Sequence, residues 1–323
     1  MKRRTVLGLI GGAAAWPLAA RGQGPVPTVG FLRSTTEKGS EYLVAAFRQG
    51  LRQAGYVEGK NVAIEFHWGD DKRERLAELA ADLVRRQVSL IVANTPAAVA
   101  AKRTTTTIPI VFVSGDDPIQ TGLVTSLNRP GGNVTGLSFI DVSLTEKRFA
   151  LLHELIAKAG PIAILVDPNA GGAEEQLRDA QAASRVLGRQ LVALKAGTER
   201  ELESAFAEMA RQNAVAVHVG TGPFFNQQRE QLAALAERHG LADSVAQREA
   251  AEAGGVMSYS SPVKEAYRQA GIYSARVLKG ENPGDLPIIL PTKFELVINL
   301  RAAKRRGIEI PPSLLLRADE VIE

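Results

Sequence analysis

Two adjacent carboxylates follow a strongly apolar stretch in the first half of the chain. Residues 108–113 read IPIVFV, and the polar residues Ser114, Gly115, Asp116 and Asp117 come directly after them. An apolar, β-branched run that turns polar this abruptly predicts a buried strand that ends in a loop. Two carboxylates in such a loop could act as a general acid–base pair, bind a metal ion or pair with the ammonium group of a bound molecule.

The other residues of the chain do not supply the partners that catalysis at this loop would need. The four histidines lack the i, i+4 pairing of a helical metal site; they are His67, His153, His218 and His239. The sequence contains no cysteine, which excludes disulfides, thiolate-bound zinc and thiol catalysis. It also lacks the G-x-S-x-G motif of serine nucleophiles and the glycine-rich nucleotide motifs. We therefore expect no catalytic residue, no metal and no cofactor, which leaves an ammonium partner or a structural Asp-Pro turn as the role of these carboxylates.

Strand-like and helix-like patterns alternate with short connections from residue 27 onward. The strand patterns lie at residues 29–32, 62–66, 90–93, 110–113, 134–137, 162–166, 191–194, 215–219 and 256–259. The helix patterns lie at residues 42–54, 73–86, 97–102, 144–158, 174–187, 202–212, 226–239 and 263–279. This alternation predicts an α/β fold with parallel sheets that are covered by helices on both faces. Because one sheet of so many strands would be improbably wide, we expect two doubly wound, Rossmann-like lobes joined by a hinge.

Proline- and glycine-rich segments indicate where the chain could pass between the two lobes. The candidates are residues 128–136, which read NRPGGNVTG, and residues 279–287, which read KGENPGDLP. The predicted lobe 1 comprises residues 26–138 plus 262–288, and the predicted lobe 2 comprises residues 139–261 plus 289–323.

Ligands of open α/β sheets bind beyond the carboxyl ends of the strands, so the residues that follow the predicted strands are the candidate site. These loops are rich in Ser, Thr, Asn and Gly, and several open onto a helix whose free N–H groups attract anions. We predict ligand contacts for Ser34, Thr35, Thr95, Ala97, Ser114, Asp116, Asp117, Asn169, Thr221, Phe224 and Tyr259, with the two aromatic residues forming an apolar wall. Each of these residues could instead be a helix cap, a turn residue or part of a core.

The first 22 residues have the pattern of an export signal. Basic residues precede an apolar run at residues 6–20, and small residues, Ala20 and Gly22, flank the expected cleavage region. The pair Arg3-Arg4 resembles a twin-arginine signal. We expect a signal peptide over residues 1–22 and a periplasmic protein. The alternative is an uncleaved membrane anchor, although the run falls short of the roughly 20 residues that span a bilayer.

The net positive charge of the chain comes from this leader. The 39 basic and 35 acidic residues give a formal net charge of +4. Lys2, Arg3, Arg4 and Arg21 lie within the first 22 residues, which contain no acid, so the remainder of the chain has no net charge. This balance argues against a nucleic-acid partner.

Four longer stretches resemble a known family. Residues 45–68 (AAFRQGLRQAGYVEGKNVAIEFHW), 126–136 (SLNRPGGNVTG), 291–300 (PTKFELVINL) and 307–323 (GIEIPPSLLLRADEVIE) are similar to ABC transporter substrate-binding proteins. The resemblance covers nearly the whole chain after the leader. It implies a type I periplasmic binding protein with a three-stranded hinge, a small-molecule ligand and a permease partner in the inner membrane. Relatives include binders of aromatic amino acids.

One stretch departs from the family pattern. Residues 242–250 read ADSVAQREA, where relatives carry a segment similar to P-A-I-Y-E-W-R-E-F, so three aromatic residues and a proline are missing. Each buried aromatic side chain contributes about 1.5–3 kcal/mol. The departure predicts a smaller or more polar ligand, or weaker binding.

These observations together predict a periplasmic binding protein that captures an amino acid, or a related zwitterion or carboxylate, by hinge closure. The ligand carboxylate would bind Ser and Thr hydroxyls and helix N–H groups, and its ammonium group would bind Asp116 or Asp117. We expect a monomer that delivers its ligand to an ABC permease. The alternatives are a ligand sensor that acts on a membrane receptor and an exported enzyme on the same scaffold.

Overall fold

The computed structural model describes residues 25–139 and 142–323, and the predicted signal peptide lies outside these ranges. The first sheet has the strand order β2-β1-β3-β4-β5 with parallel pairings. Its strands are β1 (Thr28–Arg33), β2 (Ala63–Trp68), β3 (Leu90–Asn94), β4 (Ile110–Ser114) and β5 (Val134–Ser138). The helices between them are α1 (Glu41–Gln53), α2 (Arg75–Arg85) and α3 (Thr95–Thr104).

The second sheet has the strand order β12-β11-β10-β9-β8-β6-β7. Its strands are β6 (Ile162–Val166), β7 (Leu191–Lys195), β8 (Ala216–Val219), β9 (Ala242–Val245), β10 (Met257–Ser260), β11 (Glu295–Asn299) and β12 (Glu320–Ile322). The remaining helices are α4 (Thr145–Leu155), α5 (Ala173–Val186), α6 (Glu199–Arg211), α7 (Pro223–Gln227), α8 (Arg229–Arg238), α9 (Arg248–Glu252), α10 (Val263–Leu278), α11 (Leu300–Arg305) and α12 (Pro312–Leu315).

The central strands and the covering helices follow directly from the sequence pattern. Strands β3, β4 and β5 are buried along their whole length, so their sequences are largely apolar rather than alternating. Helix α1 buries Leu43, Phe47 and Leu51, whose spacing of four residues forms one apolar stripe toward the sheet. The predicted α/β class with two Rossmann-like lobes is confirmed.

The second sheet differs from the prediction in three respects. Strand β10 pairs antiparallel with β11, so the sheet is not purely parallel. Strands β9, β11 and β12 were not predicted; in β9 the apolar pattern is interrupted by Asp243, a buried residue that forms an ion pair with Arg306. The predicted helix at residues 226–239 is two helices, α7 and α8, that meet at Gln228.

Neither predicted crossing segment passes between the lobes. Residues 128–136 run into β5, which pairs with β4, and the Gly131 N–H donates to the Gly284 carbonyl at 3.0 Å. Residues 279–287 pack against the same strand, where the Thr135 hydroxyl donates to the Leu286 carbonyl at 2.8 Å. The two crossing predictions are wrong because a Pro- and Gly-rich composition is also typical of tight turns within one lobe.

The chain passes between the sheets after β5, after β10 and before β11. Helix α10 lies between β10 and β11 in sequence but packs against α1, beside the first sheet. The three passages run side by side: the Ser138 N–H donates to the Ile289 carbonyl at 3.0 Å, and the Ser261 hydroxyl donates to the Phe139 carbonyl at 3.0 Å. We call these passages the hinge. Lobe 1 denotes the first sheet with α1–α3 and α10, and lobe 2 denotes the second sheet with the other helices.

Helices α1 and α10 approach each other at two glycines. A Cβ atom at Gly50 would overlap the backbone of Arg268, and one at Gly271 would overlap the backbone of Phe47. We predict that Gly50→Ala lowers the free energy of unfolding by about 1–3 kcal/mol or more, because two backbones must separate to admit one methyl group. Thermal or urea unfolding measures the change. Gln49→Ala, at an exposed position of the same helix, is the matched control. A Gly50→Ala protein as stable as the wild type would contradict this packing.

Candidate ligand-binding cleft

The carboxyl ends of the parallel strands of both lobes face a common cleft. Its centre is a cavity of about 50 Å³, which we call the inner cavity. Leu43, Val113, Phe139 and Val263 give it an apolar wall. Its polar lining includes Arg33, Thr95 and Asp116 from lobe 1 and Thr221, Asn226 and Gln247 from lobe 2.

Asp116 is a buried carboxylate in the wall of this cavity. The Thr95 hydroxyl and the Gly172 N–H, which comes from the opposite lobe, donate hydrogen bonds to it. Burial raises the pKa of Asp116, and these two donors oppose that rise. Within the described residues, no Lys, Arg or His side chain lies within ion-pair distance of Asp116. The carboxylate is therefore held by neutral donors, and the described part of the chain supplies no cation to pair with it.

Asp117 differs from its neighbour in both exposure and partners. Its side chain is exposed and accepts hydrogen bonds from the N–H groups of Ile119, at 2.7 Å, and Gln120, at 3.2 Å. It lines a larger, neighbouring cavity of about 250 Å³. This side chain stabilises the turn after β4 and does not line the inner cavity.

Arg33 is the cation of the inner cavity. Its side chain is buried, donates to the hydroxyl groups of Tyr267 and Thr35, and lies over the Tyr267 ring at 5.5 Å. It was not among the predicted site residues, although it ends strand β1 at the same sheet edge as Thr95. The sequence signal that could have identified Arg33 is a basic residue at the end of an otherwise apolar strand.

Gln176 joins two loops of lobe 2 that form the opposite wall. Its Oε1 accepts a hydrogen bond from the Thr221 N–H at 2.6 Å, and its Nε2 donates to the carbonyls of Gly172 and Thr221, each at 3.3 Å. This buried amide therefore sets the position of Gly172, which donates to Asp116, relative to Thr221. Sequence reasoning missed Gln176 because it lies inside helix α5 rather than at a strand end.

Direct contacts hold the two lobes together at one side of the cleft. Asn226 Nδ2 donates to the Tyr42 hydroxyl at 2.6 Å, and the Thr36 N–H donates to Gln227 Oε1 at 3.3 Å. The guanidinium of Arg229 lies 5.5 Å from the centre of the Tyr42 ring. Burial raises the pKa of the Tyr42 hydroxyl, so this group remains a neutral hydrogen-bonding partner. These contacts describe a closed arrangement of the lobes.

A second, smaller cavity of about 30 Å³ lies beside the inner one, and we call it the side cavity. Asp71 of lobe 1 and Asp167 of lobe 2 line it together with Arg73. Burial raises the pKa of each carboxyl group to about 6, and the charge of Asp71 contributes to the rise at Asp167. The side cavity therefore has one carboxylate from each lobe in its lining.

The structure brings some of the predicted site residues together and separates others. Thr95, Asp116 and Thr221 line the inner cavity. Ser114 lies behind them and bonds to the Thr95 hydroxyl at 2.7 Å, while Thr35 contacts Arg33. The residues placed at the side cavity are Ser34, Asn169 and Phe224.

Two predicted contacts do not lie at the cleft. Ala97 is fully buried in the core beneath α3, because the first turn of that helix directs it toward the sheet. Tyr259 packs on the core of lobe 2 and stacks on Phe294 with ring centroids 6.1 Å apart. Phe224 is also mainly a core residue beside Phe225, so the predicted pair of aromatic residues does not form one wall.

Neither metal-binding clusters nor membrane spans are found in the described parts of the chain. No group of three or more His, Cys, Asp or Glu side chains there is arranged to hold a metal ion. His218 is fully buried, its pKa is lowered to about 3 by burial, and it is therefore neutral. None of the helices in residues 25–139 and 142–323 has the length and apolar character needed to cross a bilayer.

Comparison with known proteins gives consistent matches along the chain. Residues 35–322 match the family model of the ABC transporter substrate binding protein. A curated relative, the tyrosine-binding protein of Clostridioides difficile, is 24% identical over 278 residues, which cover 85% of this chain and 80% of that protein.

Solved structures share the fold. A conserved domain protein from Vibrio cholerae has a TM-score of 0.84 and 26% identity, with 92% of this chain and 99% of that chain covered. The ABC domain in complex with L-Trp from Streptococcus pneumoniae has a TM-score of 0.82 and 24% identity over the same shares of the two chains.

The raised pKa of Asp167 predicts a pH-dependent stability difference. A carboxyl group with a pKa of about 6 in the folded protein and its usual lower value in the unfolded chain destabilises the fold when ionised. Asp167→Asn should raise the free energy of unfolding at pH 8, by up to about 3 kcal/mol. The gain should disappear as the pH falls through 6 toward 4, because the wild-type carboxyl group is then protonated. Urea unfolding of the unliganded protein at several pH values measures it.

Asp285→Asn, at an exposed position, controls for the loss of one negative charge. If the gain in the free energy of unfolding of Asp167→Asn does not change with pH, burial of the charged carboxylate is not the cause of that gain.

Proposed function

Because the chain belongs to the family of ABC transporter substrate-binding proteins, we propose that it captures a compact amino acid or related zwitterion for an ABC importer. In this proposal the mature protein is a periplasmic monomer, with its lobes divided at the boundaries predicted above. The ligand enters the inner cavity while the lobes are open, and the closed protein delivers it to a membrane permease.

The observation that carries the proposal is the environment of Asp116. A buried carboxylate is stable only when hydrogen bonds or a cation compensate its lost hydration. Asp116 has two neutral donors, and one of them, the Gly172 N–H, comes from the opposite lobe. A ligand ammonium group would supply the missing cation in the cavity that Asp116 lines. The names of two relatives, which cite tyrosine and L-Trp, support an amino acid as the ligand class.

The size and polarity of the inner cavity support a ligand smaller than these aromatic amino acids. Its volume is about 50 Å³, whereas an apolar cavity that accommodates benzene measures about 150 Å³. Gln247, which lies in the segment where relatives carry aromatic residues, contributes an amide to the cavity wall. A polar side chain at this position favours a ligand with a short or polar side chain.

Hinge closure is the mechanism that these contacts support. A ligand stabilises the closed form only by the extra contacts that this form offers. Asp116 already combines a donor from each lobe, and the ligand would add bonds to Thr221, Asn226 or Gln247 on the other side. A few such bonds, at about 0.5–1.5 kcal/mol for neutral and 1.5–3 kcal/mol for charged pairs, suffice for roughly micromolar affinity.

We predict that one or more of the twenty standard L-amino acids raises the melting temperature of the mature protein, because a ligand that binds the native state stabilises it by mass action. Asp116→Asn should weaken binding of that amino acid by about 10- to 100-fold, because a charge-assisted hydrogen bond is lost. Thermal-shift screening followed by calorimetry measures both effects.

Asp117→Asn is the matched control, because it removes an adjacent carboxylate that does not line the inner cavity. Equal losses in the two variants would contradict the assigned role of Asp116. A wild-type protein that responds to none of the amino acids would contradict the proposed ligand class.

The importer role predicts a transport phenotype. Cells without the gene should lose high-affinity uptake of the amino acid identified in the screen, because the permease no longer receives loaded protein. Uptake of radiolabelled amino acid measures the loss, and complementation with the wild-type gene is the control. Unchanged uptake with a lost behavioural or transcriptional response to that amino acid would instead support a sensor.

A further inference from the structure

Arg33 has an unusual position for a guanidinium group. Only 3% of its surface is exposed, and it lines the inner cavity at the end of strand β1. Its bonds to protein groups within the described residues are donated to two neutral hydroxyls, Thr35 Oγ1 at 3.4 Å and the Tyr267 hydroxyl. The Tyr267 ring adds a cation–π contact at 5.5 Å. A guanidinium has five N–H donors, so most of those of Arg33 have no acceptor among the described residues.

The carboxylates of the protein do not neutralise this charge. Asp71 is near enough for Arg33 to oppose the rise of its pKa. In the described parts of the chain, however, neither Asp71 nor another acidic side chain lies within 4.0 Å of the Arg33 guanidinium. Burial of a cation without such a partner is costly.

Arg306 of lobe 2 shows how this protein neutralises a buried arginine that serves only the fold. Its side chain is fully buried and forms an ion pair with Asp243. It also donates to the carbonyls of Leu241, Ala233 and Gly254 at 3.2, 3.1 and 2.7 Å. Arg33 has neither an ion pair nor a set of carbonyl acceptors in residues 25–139 and 142–323, and it faces a cavity instead of a core.

Arg33 and Asp116 carry opposite charges on the same cavity. They follow strands β1 and β4, which lie on either side of β3 in the sheet. Two strand spacings separate these strands by about 10 Å. Both side chains line one cavity of about 50 Å³, so the geometry suits a small molecule whose positive and negative groups are only a few bonds apart.

We propose that Arg33 binds the carboxylate of the ligand through its planar guanidinium, opposite the ammonium site at Asp116. This inference rests on the proposed function and narrows its ligand to an α-amino acid with a free carboxylate. In this inference Arg33 is the principal partner of the ligand carboxylate, in place of the Ser and Thr hydroxyl groups predicted from the sequence. Lysine could not replace this residue, because an ammonium lacks the fork that bonds both carboxylate oxygens.

The test compares wild type, Arg33→Met and Arg33→Lys with the twenty L-amino acids and their α-carboxamides. The wild type should bind the responding amino acid at least about 10-fold more tightly than its carboxamide. Arg33→Met should lose this preference: its affinity for the amino acid should fall by about 10- to 100-fold, and its affinity for the carboxamide should change little. Arg33→Lys should lose most of the preference. Arg52→Met, at an exposed position of lobe 1, controls for the loss of one positive charge.

The melting temperature of unliganded Arg33→Met separates a binding role from a structural one. Replacing a buried charge that has no ion-pair partner with an apolar side chain should leave this temperature unchanged or raise it. A marked decrease would show that the arginine holds the fold together and would overturn the proposal.

The outcomes of the binding test distinguish this inference from the proposed function. If the wild type binds an amino acid and Arg33→Met keeps the preference for the carboxylate, the inference fails and the function stands. If the wild type binds no amino acid but binds acetate or succinate in a way that requires Arg33, the role of Arg33 as a carboxylate site stands, whereas the narrowing to an α-amino acid and the proposed function both fail. If neither amino acids nor these carboxylates bind, both are overturned.

Discussion

The buried carboxylate of Asp116 is the group around which the cleft is organised. Lobe 1 supplies one of its donors, the Thr95 hydroxyl, and lobe 2 supplies the other, the Gly172 N–H. Both donors are neutral, so in the proposed function the charge of Asp116 is what attracts the ligand ammonium group into the inner cavity. Because the Asp116 carboxylate receives bonds from both lobes, the proposed function couples binding of the ligand ammonium group to closure of the lobes.

Three features of the structure bear on closure of the lobes. Gln176 fixes the loops that carry Gly172 and Thr221, so lobe 2 presents its half of the cavity as a preformed surface. In the side cavity, Asp71 and Asp167 come from opposite lobes; burial raises the pKa of both carboxyl groups, and the charge of Asp71 adds to the rise at Asp167. Their repulsion opposes closure at neutral pH, whereas the direct contacts of Tyr42 with Asn226 favour it. A ligand then needs to bind the closed form only modestly more tightly than the open form to shift the protein toward the closed form.

The sequence was sufficient for the features that depend on local pattern. Continuous apolar runs identified β3 and β4, and four-residue spacing identified α1. The rule that ligands bind at the carboxyl ends of strands led to Thr95, Asp116 and Thr221. These predictions needed no knowledge of which segments are neighbours in space.

The features that depend on tertiary contacts could not be predicted in this way. Tyr259 and Ala97 follow the same local rule, yet their side chains point into cores, because the rule does not give the direction of a side chain. Strand β9 could not be recognised in the sequence because Asp243 interrupts its apolar pattern. The ion-pair partner of Asp243, Arg306, lies 63 positions away in the chain. Arg33 and Gln176 act through partners on other elements, so their surroundings become visible only once the lobes are assembled.

The most direct test of the account is calorimetric titration of the wild-type protein with an amino acid and with its N-acetyl derivative. Acetylation removes the positive charge and leaves the carboxylate and side chain in place. If Asp116 binds the ligand ammonium group, the amino acid that responds in the screen should bind and its N-acetyl derivative should lose most of the affinity. Equal affinity for the two molecules would contradict the central claim.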